Sequence, residues 1–288
     1  MKKIDSIVVP VDFSRSSIEA VRYAAFLGNR HNAKIHLVSV IPGINYFFAY
    51  PDAGVTSAQV LSSHKNMVSE LKENNKARLS NIESMNYLKP VRVKSTVITG
   101  GNIHSDIIKF AEEKKAGLIV MGSKGSTGSS LKKLFLGSTT ERVMRLTSIP
   151  VIVVRGGQGR NKLRKIVFAS RFERDCYKVY PALNNLVKDF NPVIHLLRIN
   201  TKDDFRSFDE LKEGITRFSK RFTGNFVPHV RGSYEIDTGI AGFAKTVKAD
   251  LIAIGLKRKK GASRILGSRI AEGVCRLTNI PVIAIDIP

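Results

Sequence analysis

Short apolar runs alternate with amphipathic segments along the first 155 residues of this chain. The pattern predicts strands over residues 6–11, 34–40, 91–99, 117–121 and 150–154. Between them it predicts helices over 14–29, 56–83, 105–115 and 138–147, with Val60, Met67, Leu71 and Leu79 along one face of the longest. Strands that are apolar throughout and alternate with helices favour a parallel, doubly wound α/β sheet. Such a sheet binds ligands beyond the carboxyl ends of its strands.

The same pattern returns in the second half of the chain. The sequence LTSIPVIVV at 146–154 recurs as LTNIPVIAI at 277–285, an offset of 131 residues. Upstream, AGLIVMG at 116–122 recurs as ADLIAIG at 249–255. A repeat of this length indicates two whole domains rather than a solenoid.

The domain boundaries follow from the repeat and from a glycine-rich junction. We predict one domain over 1–156 and a second over 161–288, joined by a flexible linker with the sequence GGQGRN at 156–161. A chain of 288 residues is long enough for two ordinary domains, each with its own core.

A segment rich in glycine and hydroxyl groups follows the predicted strand that ends at Met121. It begins with Gly122-Ser123-Lys124-Gly125 and continues, after a loop, with Gly137-Ser138-Thr139 at the start of a predicted helix. Glycines let backbone N–H groups approach an anion closely, and a helix N-terminus adds partial positive charge. The segment therefore predicts a phosphate-binding site at one end of the sheet.

Composition limits the class of protein. The longest apolar runs are far too short to span a bilayer, and Asp5 interrupts the N-terminus where a signal peptide would need its apolar core. Two cysteines, Cys176 and Cys275, fit neither a disulfide framework nor a structural zinc site. We therefore expect a soluble cytoplasmic protein without a membrane partner.

The chain is strongly basic, with 47 Lys and Arg against 24 Asp and Glu and a formal net charge of +23. Split at residue 159, the halves carry +11 and +12, so the excess is not confined to a tail. A distributed excess is compatible with binding to nucleic acid, and equally with a general solubility effect, which we favour. The densest cluster is the run KRKK at 257–260.

Several motifs together resemble a tandem universal stress protein, with two such domains in one chain. In the first copy they are VPVD at 9–12, GGNI at 100–103, MGSKG at 121–125, LGST at 136–139 and IPVIVV at 149–154. The resemblance implies two flavodoxin-like or Rossmann-like domains, each a five-stranded parallel sheet with helices on both faces. It also implies that the final strands of the halves pair within the chain as a pseudo-dimer, which could pair further with a second chain.

The resemblance also implies an adenine-nucleotide site in the first domain, because family members with the pattern Gly-x2-Gly-x9-Gly-Ser/Thr bind ATP, alone or with Mg²⁺. Asp12 and Pro10 would face the ribose and adenine, Val40 would pack on the base, and the glycines and hydroxyls would hold phosphates. The implied binding residues are Pro10, Val11, Asp12, Val40, Met121, Gly122, Gly125, Gly137, Ser138 and Thr139.

The length of the loop and the alternative roles of three residues leave this interpretation open. The chain has 11 residues between Gly125 and Gly137 where the family pattern has 9, so the loop could enlarge or misplace the phosphate cradle. The alternative for Asp12 is that it only caps a helix, and for Gly122 and Gly137 that they only allow tight turns.

The second copy departs from the pattern. Arg171 and Ala169 stand where the first copy has Asp12 and Pro10, and Arg258 stands where the second glycine is expected. A guanidinium cannot accept hydrogen bonds from ribose hydroxyls. We expect no adenine nucleotide here, while the GS pair at 267–268 and the basic run could be solvated or could bind another anion.

Catalytic signatures are not evident. The chain has no Gly-Lys-Ser/Thr P-loop and no Gly-x-Ser-x-Gly elbow, and its six histidines show no metal-like spacing. Weak ATP hydrolysis is the most that we expect, so an ATP-binding regulatory protein of the stress response is favoured over an enzyme. The alternatives are a nucleotide-free scaffold that grips an unknown protein partner, with the aromatic segment at 46–50, and a less favoured nucleic-acid binder.

Overall fold

The computed structural model describes residues 4–43, 57–123, 136–155, 162–257 and 266–287. They form one continuous ten-stranded sheet with helices on both faces. The predicted linker and the aromatic segment at 46–50 lie outside the described residues. The α/β architecture with two similar halves confirms the predicted fold class.

The first half alternates strands and helices as the hydrophobic pattern predicts. Its elements are β1 (Ser6–Pro10), α1 (Arg15–His31), β2 (Lys34–Pro42), α2 (Ser57–Glu83), β3 (Val93–Gly100), α3 (Ile103–Glu113), β4 (Leu118–Gly122), α4 (Ser138–Leu146) and β5 (Val151–Val154). The second half repeats the series as β6 (Lys165–Ala169), α5 (Cys176–Val187), β7 (Val193–Asn200), α6 (Phe208–Arg221), β8 (Asn225–Gly232), α7 (Ile236–Thr246), β9 (Leu251–Lys257), α8 (Leu266–Leu277) and β10 (Val282–Ile287).

The sheet order is mirrored about its centre, running β3-β2-β1-β4-β5-β10-β9-β6-β7-β8. All neighbouring strands are parallel except β5 and β10, which pair antiparallel with Ile283 opposite Ile152. This junction is the predicted pairing of final strands within one chain. It joins the two halves through backbone hydrogen bonds.

Two apolar layers cover the sheet. Buried residues of α1, α2, α5 and α6 pack on one face, and those of α3, α4, α7 and α8 pack on the other. Helix α1 begins where the sequence provides a cap, because the Ser14 hydroxyl accepts a hydrogen bond from the Ser17 N–H at 3.2 Å.

Only the C-terminal part of α2 packs as predicted. Leu79 is fully buried, whereas Met67 and Leu71 are 39% and 36% exposed. The helix has 27 residues and is about 40 Å long, while the eight residues of β3 beside it extend about 26 Å. The helix is therefore longer than the strand beside it, so part of its apolar face, which includes Met67 and Leu71, stays exposed to solvent.

His36 is a buried basic group in the core. It lies on β2 with its ring edge-on to Phe110, at 6.4 Å between ring centres, and its Nδ1 has no hydrogen-bond partner among the described residues. Burial, with the nearby charges of Lys34, Lys114 and Lys94, lowers the pKa of His36 to about 4.

Stability is expected to fall as the pH drops from about 6.5 to about 4. In that window the unfolded chain binds a proton at His36, whose ordinary pKa is about 6.5, and the folded chain does not. His36→Leu should flatten this part of the profile, although His195 and His229, whose pKa values burial also lowers, retain their share. Urea midpoints at pH 7 and pH 5 measure the slope. An unchanged slope in the variant would contradict the assignment.

Candidate functional site

The residues expected to bind a nucleotide converge at one edge of the first half. Pro10 ends β1, Val40 lies near the end of β2, and Met121 and Gly122 end β4. Since β1 pairs in parallel with both β2 and β4, all three carboxyl ends lie at the same edge. The direction of chain progression reverses between β1 and β4, and ligands bind outside such a switch point in open α/β sheets.

Asp12 lies at this edge, just after β1, and its side chain is exposed. Its Oδ1 accepts hydrogen bonds from the Ser14 N–H at 3.0 Å and the Ser14 hydroxyl at 2.6 Å. The carboxylate therefore orders the turn into α1, whose N-cap is Ser14. A carboxylate offers about four lone-pair sites, so this role leaves it capacity to accept hydrogen bonds from a ligand.

Gly122 allows a close approach between β4 and α1. A Cβ atom on Gly122 would lie 2.6 Å from the backbone carbon of Ser16 and 2.7 Å from its oxygen. The Thr140 hydroxyl donates to the Gly122 carbonyl at 2.9 Å, which ties the strand end to α4. The absence of a side chain at 122 is thus a packing requirement, whatever else the site does.

The start of α4 is held at the same edge by backbone hydrogen bonds. The Gly137 N–H donates to the Ser123 carbonyl at 2.8 Å, and the Ser123 N–H donates to the Val154 carbonyl at 2.9 Å. Gly137 is the N-cap and provides no side chain to cap the first turn, where Ser138 is exposed and Thr139 half-buried. Val11, directly after β1, is buried. Gly125 and the lengthened loop lie outside the described residues.

The equivalent edge of the second half contains a cavity of about 260 Å³. Register pairs place Ala169, Arg171 and Ile199 where the first half has Pro10, Asp12 and Val40, 159 positions earlier. The ends of β4 and β9 correspond likewise, so Ile254 and Gly255 take the places of Met121 and Gly122. The residues that line the cavity include Ala169, Ser170, Arg171, Cys176, Val179, Leu197, Arg198, Ile199, Ile236, Ile240, Ile254, Gly255, Ile270 and Ile287.

A late helix start accompanies this cavity. Helix α5 begins at Cys176, which corresponds to Ser17, whereas α1 already begins at Arg15. Glu173 stands in place of the capping Ser14, and the N-cap residue of α5, Asp175, makes no side-chain capping hydrogen bond. A Cβ atom on Gly255 would therefore lie nearest to a side-chain carbon of Val179, at 2.8 Å. A Cβ atom on Gly122 would instead lie nearest to the helix backbone.

Charged groups meet at the cavity. Arg198, buried on β7, donates from Nη2 to Asp204 Oδ2 at 2.6 Å, and Arg171 Nε lies 3.5 Å from the same oxygen. Arg206 Nε lies 3.7 Å from the other carboxylate oxygen, Oδ1. Burial alone would raise the pKa of Asp204, but the hydrogen bond and the three guanidinium charges together lower it below the ordinary value. Sequence reasoning missed Arg198, because an arginine inside an apolar strand has no motif around it.

The two thiols are poor nucleophiles. Burial raises the pKa of Cys176 to about 12 and that of Cys275 to about 12, so both are protonated at neutral pH. Within the residues that the structure describes, no group of three His, Cys, Asp or Glu side chains is arranged to hold a metal ion. None of the described helices combines the length and the apolar character needed to cross a bilayer.

Comparison with known proteins agrees with this architecture. The model of the universal stress protein family matches residues 3–155 and 191–286. Universal stress protein MJ0531 of Methanocaldococcus jannaschii is 33% identical over 150 residues, which cover 52% of this chain and 81% of that protein.

Solved structures of this family are similar to the whole chain or to about half of it. The crystal structure of a universal stress protein from Archaeoglobus fulgidus superposes with a TM-score of 0.70 and 17% identity, covering 100% of both chains. Another universal stress protein, solved in complex with cAMP, covers 54% of this chain and 98% of its own, with a TM-score of 0.34 and 19% identity. Because the family model matches residues in both halves, 3–155 and 191–286, the chain belongs to the universal stress protein family.

Proposed function

We propose that the first domain, residues 1–156, binds ATP, and that the protein acts as a nucleotide-dependent regulator of the stress response rather than as an enzyme. The second domain, residues 161–288, would not bind adenine nucleotide. The observation that carries the proposal is the convergence of Asp12, Val40 and Gly122 with the start of α4 at the switch point between β1 and β4.

Each group at this edge suits one part of ATP. An exposed carboxylate accepts hydrogen bonds from ribose hydroxyls, and the apolar Val40 offers a surface to a purine. The exposed Ser138 hydroxyl and the glycine-capped start of α4 favour phosphate oxygens, since a helix N-terminus attracts anions. We propose Gly125 as a further phosphate-binding residue, and Mg²⁺ would add charge neutralisation there.

Asp12→Asn is expected to weaken ATP binding by roughly tenfold or more, since charge-assisted hydrogen bonds contribute about 1.5–3 kcal/mol. Asparagine keeps an oxygen that can accept from the Ser14 N–H, so the turn into α1 and the thermal midpoint should change little. Equilibrium titration with labelled ATP measures the affinity of the variant and of the wild type.

The matched control is Asp5→Asn, the same change of charge before β1 at the opposite edge of the sheet, which should leave ATP binding unchanged. Absence of ATP binding by the wild-type chain would refute the proposal. Equal losses in both variants would refute the role of Asp12 and indicate a general charge effect. Mass spectrometry of small molecules released from the purified protein tests independently whether a nucleotide is carried.

A further inference from the structure

We propose that the cavity of the second half binds a small carboxylic acid with an apolar body, held through its carboxylate by Arg198 and Arg171. This site is separate from the proposed ATP site and does not depend on it. It lies where the sequence had indicated only a degraded copy of the nucleotide motif.

The walls of the cavity are mainly aliphatic. Side chains from β7, β9, α7, α8 and β10 contribute Leu197, Ile199, Ile254, Ile240, Ile270 and Ile287. In the first half the position of Ile270 belongs to Thr139, while Thr140, whose hydroxyl binds the strand end, corresponds to Ala271. Both hydroxyls of the first half are thus replaced by alkyl groups, which makes the second site more suitable for hydrocarbon than for the polar edge of a nucleotide.

Arg198 supplies an unsatisfied donor in this apolar setting. The residue is only 4% exposed and lines the cavity, and its Nε has no hydrogen-bond acceptor among the described residues. Its Nη2 is already occupied by Asp204. A buried charged donor without an acceptor is costly, so an anion that reaches this guanidinium through the cavity would relieve that cost.

The surrounding charges allow an anion. Asp204 shares one carboxylate among three guanidinium groups, those of Arg198, Arg171 and Arg206. Two further carboxylates line the cavity, and that of Glu173, which is exposed, is engaged by Arg206 at 3.4 Å.

The second lining carboxylate, Asp175, is half-buried directly before α5. The helices α5 and α7 begin at Cys176 and Ile236, and both of these residues line the cavity. Their N-termini add partial positive charge at the same place. Since three carboxylates match the three guanidinium groups, the positive excess comes from these helix N-termini, and it suits one negative charge rather than the several charges of a triphosphate.

The volume of the cavity also favours a small ligand. Pockets for drug-sized ligands occupy about 300–1,000 Å³, and this cavity of about 260 Å³ lies below that range. It is therefore suited to a ligand much smaller than ATP. A short-chain aliphatic or simple aromatic acid fulfils the requirements of volume, apolar contact and one acceptor group.

The test is calorimetric titration of the full chain with sodium butanoate, hexanoate and octanoate, and with hexan-1-ol as the neutral partner of hexanoate. We expect hexanoate to bind about fourfold more tightly per added methylene than butanoate until the cavity is filled. Hexan-1-ol should bind roughly tenfold more weakly or worse, because it lacks the charge-assisted hydrogen bond. No binding of any acid, or equal binding of hexan-1-ol, would overturn the proposal.

Three variants test whether the acid binds in this cavity. Arg198→Gln should weaken hexanoate binding by roughly tenfold or more while leaving hexan-1-ol unaffected. Ile236→Phe adds bulk at the cavity wall and should abolish binding, whereas Ile103→Phe, the same change at the first residue of α3, should not alter it. If Arg198→Gln fails to fold, the pair of phenylalanine variants decides. Equal effects of that pair would overturn the assignment, and ATP titration of the same proteins reports the first site separately.

Discussion

Gly122→Ala is expected to lower the free energy of unfolding by about 3 kcal/mol, the upper part of the usual cost of overpacking. The added Cβ would lie 2.6 Å from the Ser16 backbone carbon and 2.8 Å from the Ser17 nitrogen. Backbone atoms in the first turn of a capped helix cannot move aside without breaking that turn, so α1 or β4 has to shift.

Gly255→Ala is the matched control, because Gly255 holds the equivalent place at the end of β9. There the nearest atom to an added Cβ is a methyl group of Val179, which can rotate toward the adjacent cavity. We expect a loss of about 1 kcal/mol or less. Urea denaturation of both variants measures the difference. Equal losses would show that the close approach of β4 to α1 is not rigid.

Arg145→Ala is expected to destabilise the protein by about 3 kcal/mol, because it leaves a buried carboxylate without its partner. Arg145, on α4, donates from Nε and Nη2 to the two carboxylate oxygens of Glu272, on α8, at 2.5 and 2.6 Å. The Glu272 side chain is only 4% exposed. This bidentate pair connects the two halves of the chain beside the β5–β10 junction.

The mirror-related pair provides the control for this prediction. Arg276 on α8 donates to Glu141 on α4, with both residues displaced by 131 positions from their counterparts. Glu141 is 22% exposed, so water can partly replace a lost partner, and we expect Arg276→Ala to cost about 1 kcal/mol. Denaturation curves of the two single variants decide. A larger loss for Arg276→Ala would contradict the argument from burial.

The order and type of the elements in the first half could be predicted because most of its strands are apolar runs and its helices have their own periodicity. Ser14 marked the start of α1 correctly, since a short hydroxyl side chain before an amphipathic run is a cap. The N-terminal part of α2 could not be predicted in the same way. Whether Met67 and Leu71 are covered depends on the length of the neighbouring strand, which periodicity does not contain.

It could be predicted that the residues of the candidate nucleotide site are neighbours, because the carboxyl ends of parallel strands lie at the same edge. Pro10 is the last residue of β1, and Met121 is the last but one of β4. The roles of single residues were less predictable. The close approach of Gly122 to α1 depends on tertiary packing. The cavity around Arg198 was missed because it arises from a late helix start and a strand arginine, neither of which resembles a known motif.

The antiparallel junction between β5 and β10 sets the polarity of the whole molecule. Strands β1 to β5 all point one way and β6 to β10 the other, so the carboxyl ends of the two halves face opposite edges of the sheet. The mouths of the two candidate sites therefore open in opposite directions. A flat partner surface can cover one mouth but not both, and any signal between the two ligands has to cross the interface between the halves, which includes the β5–β10 junction and the Arg145–Glu272 pair.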